Sequence, residues 1–458
     1  MSGAVAACVG HVLGLAEGDL APDALRAAKT FLLDTLGVGI AGAAAPLTHS
    51  VRQAARSWGG EGGCSVWGAG ALTAPPATAA FLNAYQIHCQ EFDCVHEPAV
   101  VHPMAAITAA LAAEVEAKAP ISGAALLTAL VGAVDVAVSL GLAARAPLTF
   151  FRPATAGVFG AALGVARLRG FSPAAATDAM GLALAFCAGT MQAHVEGTPA
   201  LALQMANAAR AALMACDLAE AGLWGARDSL EGPFGYFRLF EAAADPGVIP
   251  QTLARRRICE VSHKPFPTGR AAHGGLALLE RLQAQGLDAH SLERLTLRGP
   301  PLIQRLVGRP AVAEMQPSHA RLCFPYLAAR MLLSGRIGLG DFHPEALQAP
   351  EALQLAARVE VLEAWPGEPA AFTPQRLEAV LRDGRVLAEE LQVLPGAPGA
   401  PLSAEANREK FRRCAAFGWG REDAERRQAV IGAVEGLEHA RDAAAIFRLA
   451  SDREGEAG

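Results

Sequence analysis

Charge is scarce in this chain, and lysine more so. Charged residues make up only 18% of the 458 positions, and of the 39 basic residues just four are lysine, namely Lys29, Lys118, Lys264 and Lys410. The net charge of −6 leaves no basic face, which excludes nucleic acid as a partner. Arginine does not give up its proton in a protein, so a chain this biased toward arginine is expected to keep lysine where a compact or deprotonable ammonium group is wanted. Tyrosine is rarer still, at three residues. The amino terminus lacks a basic stretch leading into a leucine-rich core, so no export signal is expected. The nine cysteines have no framework spacing and are odd in number, which fits reduced thiols in a cytoplasmic protein. One long apolar run, residues 123 to 143, is interrupted by Asp135 and rich in alanine and glycine, and reads as a buried helix rather than a membrane span.

What the chain has in abundance is apolar side chain, 52% of the total, enough for a large interior and some surplus for a subunit interface. Its length makes two domains the natural expectation. Residues 22 to 42, 77 to 92, 104 to 118, 122 to 143, 154 to 169, 172 to 189 and 199 to 222 each read as helix, with Pro22 and Pro173 at helix starts and Ser122 and Ser172 as caps. The texture changes after Pro246 and Pro250. Leu292 to Arg298, Arg358 to Glu363, and the pair 376 to 381 and 386 to 393 across Asp383-Gly384 read as strands, the last two as a hairpin. Helices at 268 to 285 and 320 to 334 lie between them. Pro395 to Pro401 is a linker, and the helical stretch 404 to 449 is too short to bury its own apolar face, so it is expected to pack back on the first domain. The fold class is therefore mainly α with a second α+β domain: an all-helical unit, 1–250 completed by 402–450, and a smaller α+β unit, 255–395.

Residues 82 to 104 concentrate the chemistry. His88, Cys89, Glu91, Asp93, Cys94, His96, Glu97 and His102 crowd into a chain otherwise poor in such groups, and burying them without partners is costly. The paired spacings of zinc sites, Cys-x2-Cys twice or His-Glu-x2-His, are missing, so no metal is expected, and a metallohydrolase is the weakest reading of this cluster. Cys89 and Cys94 read as packing residues rather than nucleophiles. His102, before Pro103, is either a helix-entry residue or an acid or base at a helix N-terminus. Glu91 and Asp93 have apolar neighbours and read as members of an internal network. Two further islands are Ser262-His263-Lys264-Pro265-Phe266-Pro267, at the boundary between the helical and mixed regions where small-molecule clefts are common, and Arg321-Leu322-Cys323-Phe324-Pro325-Tyr326, in which Tyr326 is a candidate hydroxyl donor.

These islands together resemble the MmgE/PrpD family. The matching stretches run from Leu32 to Gly37 through Glu91-Phe92-Asp93 and His102-Pro103, then Ala154 to Gly157 with Phe159-Gly160. They continue through Ala206 to Arg210 and Leu230-Glu231-Gly232 to Lys264-Pro265-Phe266-Pro267 with His273, and on to Tyr326. The resemblance implies a homodimer with a large helical domain built from both chain ends, a smaller lid, and a site between them that works without a cofactor on a small di- or tricarboxylate. It implies catalytic roles for His102, Lys264 and Tyr326 and carries over His273; with these, Glu91 is the candidate at the cavity-carboxylate position, and Asp93, Arg152, His273 and Arg210 are the candidates for substrate binding. This chain departs from the family pattern where Glu91 replaces an aspartate, where Cys94 and Val95 replace Asp and Thr, where a second lysine falls at Leu201, and where a His-Pro becomes Arg152-Pro153. Arg152 is expected to hold a substrate carboxylate bidentately if it faces the cavity.

The activity that follows is a lyase acting beside a carboxylate, with dehydration first. Lys264 and Arg152 would stabilise charge building on the carboxylate, His102 would move the proton, and Tyr326 or Glu91 would protonate the leaving hydroxyl. Decarboxylation or epimerisation on the same scaffold is the alternative, as is a family member that binds a ligand without turnover, a reading that Leu201 and Val95 favour.

Overall fold

The computed structural model describes residues 3–18, 20–366, 371–420 and 423–451. Helices occupy most of the first 250 residues: Gly3–Gly14, Pro22–Gly42, Thr48–Ala55, Pro76–His88, Pro103–Lys118, Gly123–Ala143, Arg152–Leu168, Pro173–Ala185 and Ala200–Glu220 are the main ones. Their starts are set locally. Pro22, Pro76, Pro103, Pro153 and Pro173 sit in first turns, where a missing N–H costs nothing. Ser122 and Ser172 accept from the N–H groups of Ala125 and Ala175, at 3.0 and 3.2 Å, which satisfies donors otherwise orphaned at a helix end.

Small residues then decide how closely these helices approach one another. At Gly42 an added Cβ would lie 2.0 Å from the Gln86 carbonyl oxygen, and at Gly418 it would lie 2.0 Å from that of Ile40. The second contact joins the helix Ala404–Trp419, from the far end of the chain, to Pro22–Gly42. One apolar core accordingly runs from Ala4 to Val261 and takes in Phe411, Val430 and Phe447. The apolar helix Gly123–Ala143 is long enough to cross a membrane, yet 89% of its most apolar window is buried in this core. Its Asp135 is neutralised there: Nε2 of His11 lies 2.9 Å from the carboxylate, and the N–H of Arg257 donates to it at 2.6 Å.

A second core is formed by residues between Phe266 and Leu394 around one mixed sheet. The strands lie in the order Val359–Glu363, Leu292–Gly299, Gln375–Leu381, Val386–Leu391. The first two are parallel, and the remaining pairings are antiparallel. The turn between the last two strands places Gly384 at φ 86, a conformation that glycine adopts without strain. Helices His273–Ala284 and Phe324–Ser334 complete this core. The chain is thus mainly helical with a small mixed sheet in its C-terminal half. The stretch expected to be a linker is docked: Gly396 accepts from the N–H of His263 at 2.9 Å, and Arg270 donates to the Pro395 carbonyl at 2.7 Å. Among the described residues no disulfide joins the cysteines.

Candidate active site

The site is assembled where the helix Pro76–His88 ends. The chain turns there through Glu91, whose φ of 52 lies in the left-handed region that a residue with a side chain rarely adopts. Four residues on, Val95 exchanges two main-chain hydrogen bonds with Ser262, at 3.0 and 2.8 Å, and this short bridge sets the register between the two segments. Lys264, two residues past Ser262, is thereby brought onto Glu91. Its ammonium donates to the Glu91 carboxylate at 3.0 Å and to the Glu91 carbonyl at 3.1 Å, so one cation holds both the charge and the unusual backbone. The Lys264 side chain is 1% exposed and that of Glu91 16%. Burial would raise the Glu91 carboxyl, but Lys264 and the two nearby imidazoles outweigh it and hold it down at about 2.

Behind Glu91 lies a carboxylate shared by two imidazoles. Nδ1 of His88 is 3.0 Å and Nδ1 of His102 is 3.1 Å from the same oxygen of Asp93, and the rings meet edge to face with centroids 4.9 Å apart. An ionised carboxylate only accepts, so each ring carries its proton on Nδ1 toward Asp93. Burial lowers both imidazoles, and the two environments then diverge. For His88 the Asp93 charge and hydrogen bond win, so it holds its proton more firmly than usual. His102, with Lys264 opposing the pull of Asp93, stays below the usual imidazole value. Asp93 itself remains ionised well below the usual range, because the two imidazoles overcome its burial. Two buried polar atoms have no hydrogen-bond partner here, Asp93 Oδ1 and His88 Nε2, the latter 3.9 Å from the Glu91 carboxylate. A pair of titratable groups pushed apart in this way can work as acid and base.

A cleft opens onto this arrangement between the two cores. Its lining includes Tyr85, His88, Cys89 and Glu91 from the first helical region, His194, Thr198 and Leu201 from residues 193–202, and Gln316, Ser318 and Arg321 from the α+β region. Burial pushes the Cys89 thiol up to about 12 and the Cys94 thiol well above its usual value, so neither presents a thiolate. His88, Asp93 and His102 could present ligand atoms within 4.8 Å of one another, but as they stand both Nδ1 atoms are spent on one carboxylate oxygen.

Of the residues assigned from the sequence, Glu91, Asp93, His102 and Lys264 come together. His102 stands one ring behind the cleft wall, and His88 occupies the front position. The other four do not join them. Arg152 is 4% exposed and its Nε and Nη2 donate to the Glu241 carboxylate at 2.8 and 2.9 Å, while Nη1 donates to the Ala99 carbonyl at 3.2 Å, so its fork is already filled. Tyr326 lies in the second core, and its hydroxyl donates to the Asp341 carbonyl at 2.5 Å. His273 is fully buried, with Nε2 3.3 Å from the Thr268 carbonyl, and burial beside Arg270 and Lys264 holds it neutral. Arg210 is half-buried with its guanidinium over the ring of Trp58.

Sequence reasoning passed over His88 as a site member, although it lay in the quoted cluster, and Arg321, although it lay in the same island as Tyr326. It also passed over Lys410, whose ammonium meets Asp34 at 2.6 Å and donates to the Phe92 carbonyl at 3.0 Å, fixing the residue between Glu91 and Asp93. Lysine scarcity was the signal for Lys410. His194 carried none.

Comparison with known proteins agrees with the layout of the chain. Residues 8–248 match the MmgE/PrpD N-terminal domain and residues 266–435 match the MmgE/PrpD C-terminal domain. Similar proteins include the cis-aconitate decarboxylase of Mus musculus, 30% identical over 96% of this chain and 92% of the relative. The cis-aconitate decarboxylase of Homo sapiens is 30% identical over 87% of this chain and 85% of the relative. A cis-aconitate decarboxylase-like protein of Aspergillus oryzae is 27% identical over 96% and 95%. With both domains matched in order and full-length relatives at this identity, the chain belongs to the MmgE/PrpD family.

Proposed function

We propose that the protein is a lyase that decarboxylates a small di- or tricarboxylic acid, with cis-aconitate as the first substrate to test. The reading rests chiefly on the imidazole pair His88 and His102 on Asp93, set beside Glu91 and Lys264 at a cleft between the two cores. The sequence led with dehydration and kept decarboxylation as the alternative. The named relatives reverse that order, since those cited are decarboxylases or decarboxylase-like. The two acids assigned to dehydration are not free for it: Tyr326 is committed to the Asp341 carbonyl and Glu91 is held ionised by Lys264.

In decarboxylation the carbon–carboxylate bond breaks, carbon dioxide leaves, and its bonding pair stays on carbon, delocalised into a neighbouring unsaturated acid. Positive charge near that acid lowers the barrier, and Lys264 supplies it. The pair is then quenched by a proton. His88 is the donor, because Asp93 keeps its ring protonated and its Nε2, 3.9 Å from the Glu91 carboxylate, has no hydrogen-bond partner. His102, neutral and protonated on Nδ1, offers Nε2 to take up a proton from water, and that proton replaces the one His88 gave to carbon. Incubation with cis-aconitate in deuterated water tests this directly. The expected proton NMR result is loss of substrate signals and one carbon-bound deuteron in the product, and a separate bicarbonate assay is expected to give one per turnover. A product that keeps all its carboxylates, or tight binding with no turnover, contradicts the proposal.

A further inference from the structure

Lysine and histidine do not account for all the positive charge at the cleft. Arg321 is the lining residue with a permanent charge, and it comes from the α+β side, opposite His88 and Glu91. It is 3% exposed. Its guanidinium lies over the ring of Phe342, 4.2 Å from the centroid, a contact that satisfies the face of the cation and none of its N–H donors. Nε is buried without a partner, and among the described residues no carboxylate pairs with this group. The neighbouring Glu91 is taken by Lys264. Burying a cation with its donors unfilled is strongly unfavourable unless an anion completes the set. The main chain at this position is held firmly: the Arg321 N–H donates to Pro317 and the Arg321 carbonyl accepts from Gly269, at 3.0 and 3.1 Å. Leu201 and Ala202 add an apolar stretch to the wall, and the imidazole of His194, also in the lining, is lowered by burial.

We propose that Arg321 is the anchor for a second substrate carboxylate, the one that is not lost, and that it makes the enzyme selective for acids with at least two carboxylates spanning the cleft from Arg321 to His88. A planar fork suits a carboxylate bidentately, and the face stacked on Phe342 fixes the fork's orientation before the ligand arrives. This inference rests on the reading of the cleft as an acid-binding enzyme site. The selectivity belongs to binding, so it can be measured with acids that do not react.

The experiment is calorimetric titration of the purified protein with propane-1,2,3-tricarboxylate and with butyrate, in wild type, Arg321→Gln and Arg321→Lys. The wild type is expected to bind the tricarboxylate with at least about 30-fold preference over butyrate. Arg321→Gln is expected to lose most of that preference, and Arg321→Lys to retain part of it, since the charge survives without the fork. Where turnover of cis-aconitate is measurable, the loss in Arg321→Gln falls on KM more than on kcat, as expected for a contact kept through the reaction. A merely structural arginine would lower the melting temperature and leave the selectivity ratio unchanged. The proposal is overturned by a wild type that does not discriminate between the two acids, or by an Arg321→Gln or Arg321→Lys protein with the wild-type ratio. Selective binding without turnover would refute decarboxylation while supporting Arg321.

Discussion

Replacing Lys264 with alanine lowers kcat/KM by about a thousandfold or more and destabilises the fold by about 3–5 kcal/mol, the cost of stranding one partner of a buried pair. The ammonium is 1% exposed and donates to both the carbonyl and the carboxylate of Glu91, so its loss removes the support for a left-handed backbone and the counter-charge of a buried acid together. Only the two imidazoles then oppose burial at Glu91, and its carboxyl rises. Arginine at the same position does not restore activity, because a planar fork cannot replace a compact ammonium between two acceptors of one residue. The pH dependence of stability gives a second readout. The Glu91 value is depressed from 4.5 to about 2 on folding, so its contribution is fully present above about pH 4.5 and is lost as pH falls toward 2. Denaturant titrations across that window are expected to show a shallower acid slope in Lys264→Ala than in the wild type. An unchanged slope, or near-normal turnover, would show that the ion pair does neither job.

The second large effect is expected for Asp93→Asn. The wild-type kcat/KM should be bell-shaped in pH. Its acid limb lies below the ordinary imidazole value, where His102 takes up a proton, and its alkaline limb above it, where His88 gives one up. These limbs describe the coupled pair. Removing the Asp93 charge takes away what holds the proton on His88, so burial prevails and the alkaline limb moves to lower pH. At neutral pH kcat/KM is expected to fall about a hundredfold or more. The sign follows from linkage. The raised value of His88 stabilises the fold below the unfolded imidazole value, and that contribution disappears as pH rises through the folded one. Rate profiles of the two proteins check this, and an alkaline limb that stays in place would remove His88 from the role of proton donor.

Local chemistry was legible in the sequence, and distant partners were not. Ser122 and Ser172 cap the helices they were assigned to, and Asp383-Gly384 makes the expected hairpin, because each signal lies within a few residues of its effect. Arg152 was read as free to hold a substrate, but its acceptor Glu241 is 89 positions away and nothing in the sequence pairs them. The Tyr326 hydroxyl's acceptor could not be read either, since it is a main-chain carbonyl, which every residue has. The lysine argument carried further than it was pressed. Lys264 and Lys410 are buried on Glu91 and Asp34, while Lys29 and Lys118 keep side-chain exposures of 20% and 52%. The left-handed turn at Glu91 follows from the Val95–Ser262 bridge and the Lys264 contact, neither of which has a local signature.

The most direct test of the whole account is a crystal structure with propane-1,2,3-tricarboxylate bound. The account predicts the ligand in the cleft between the two cores, one carboxylate on the Arg321 guanidinium and its carbon chain facing Nε2 of His88. A ligand seated elsewhere, or a cleft that stays without ligand at saturating concentration, contradicts it.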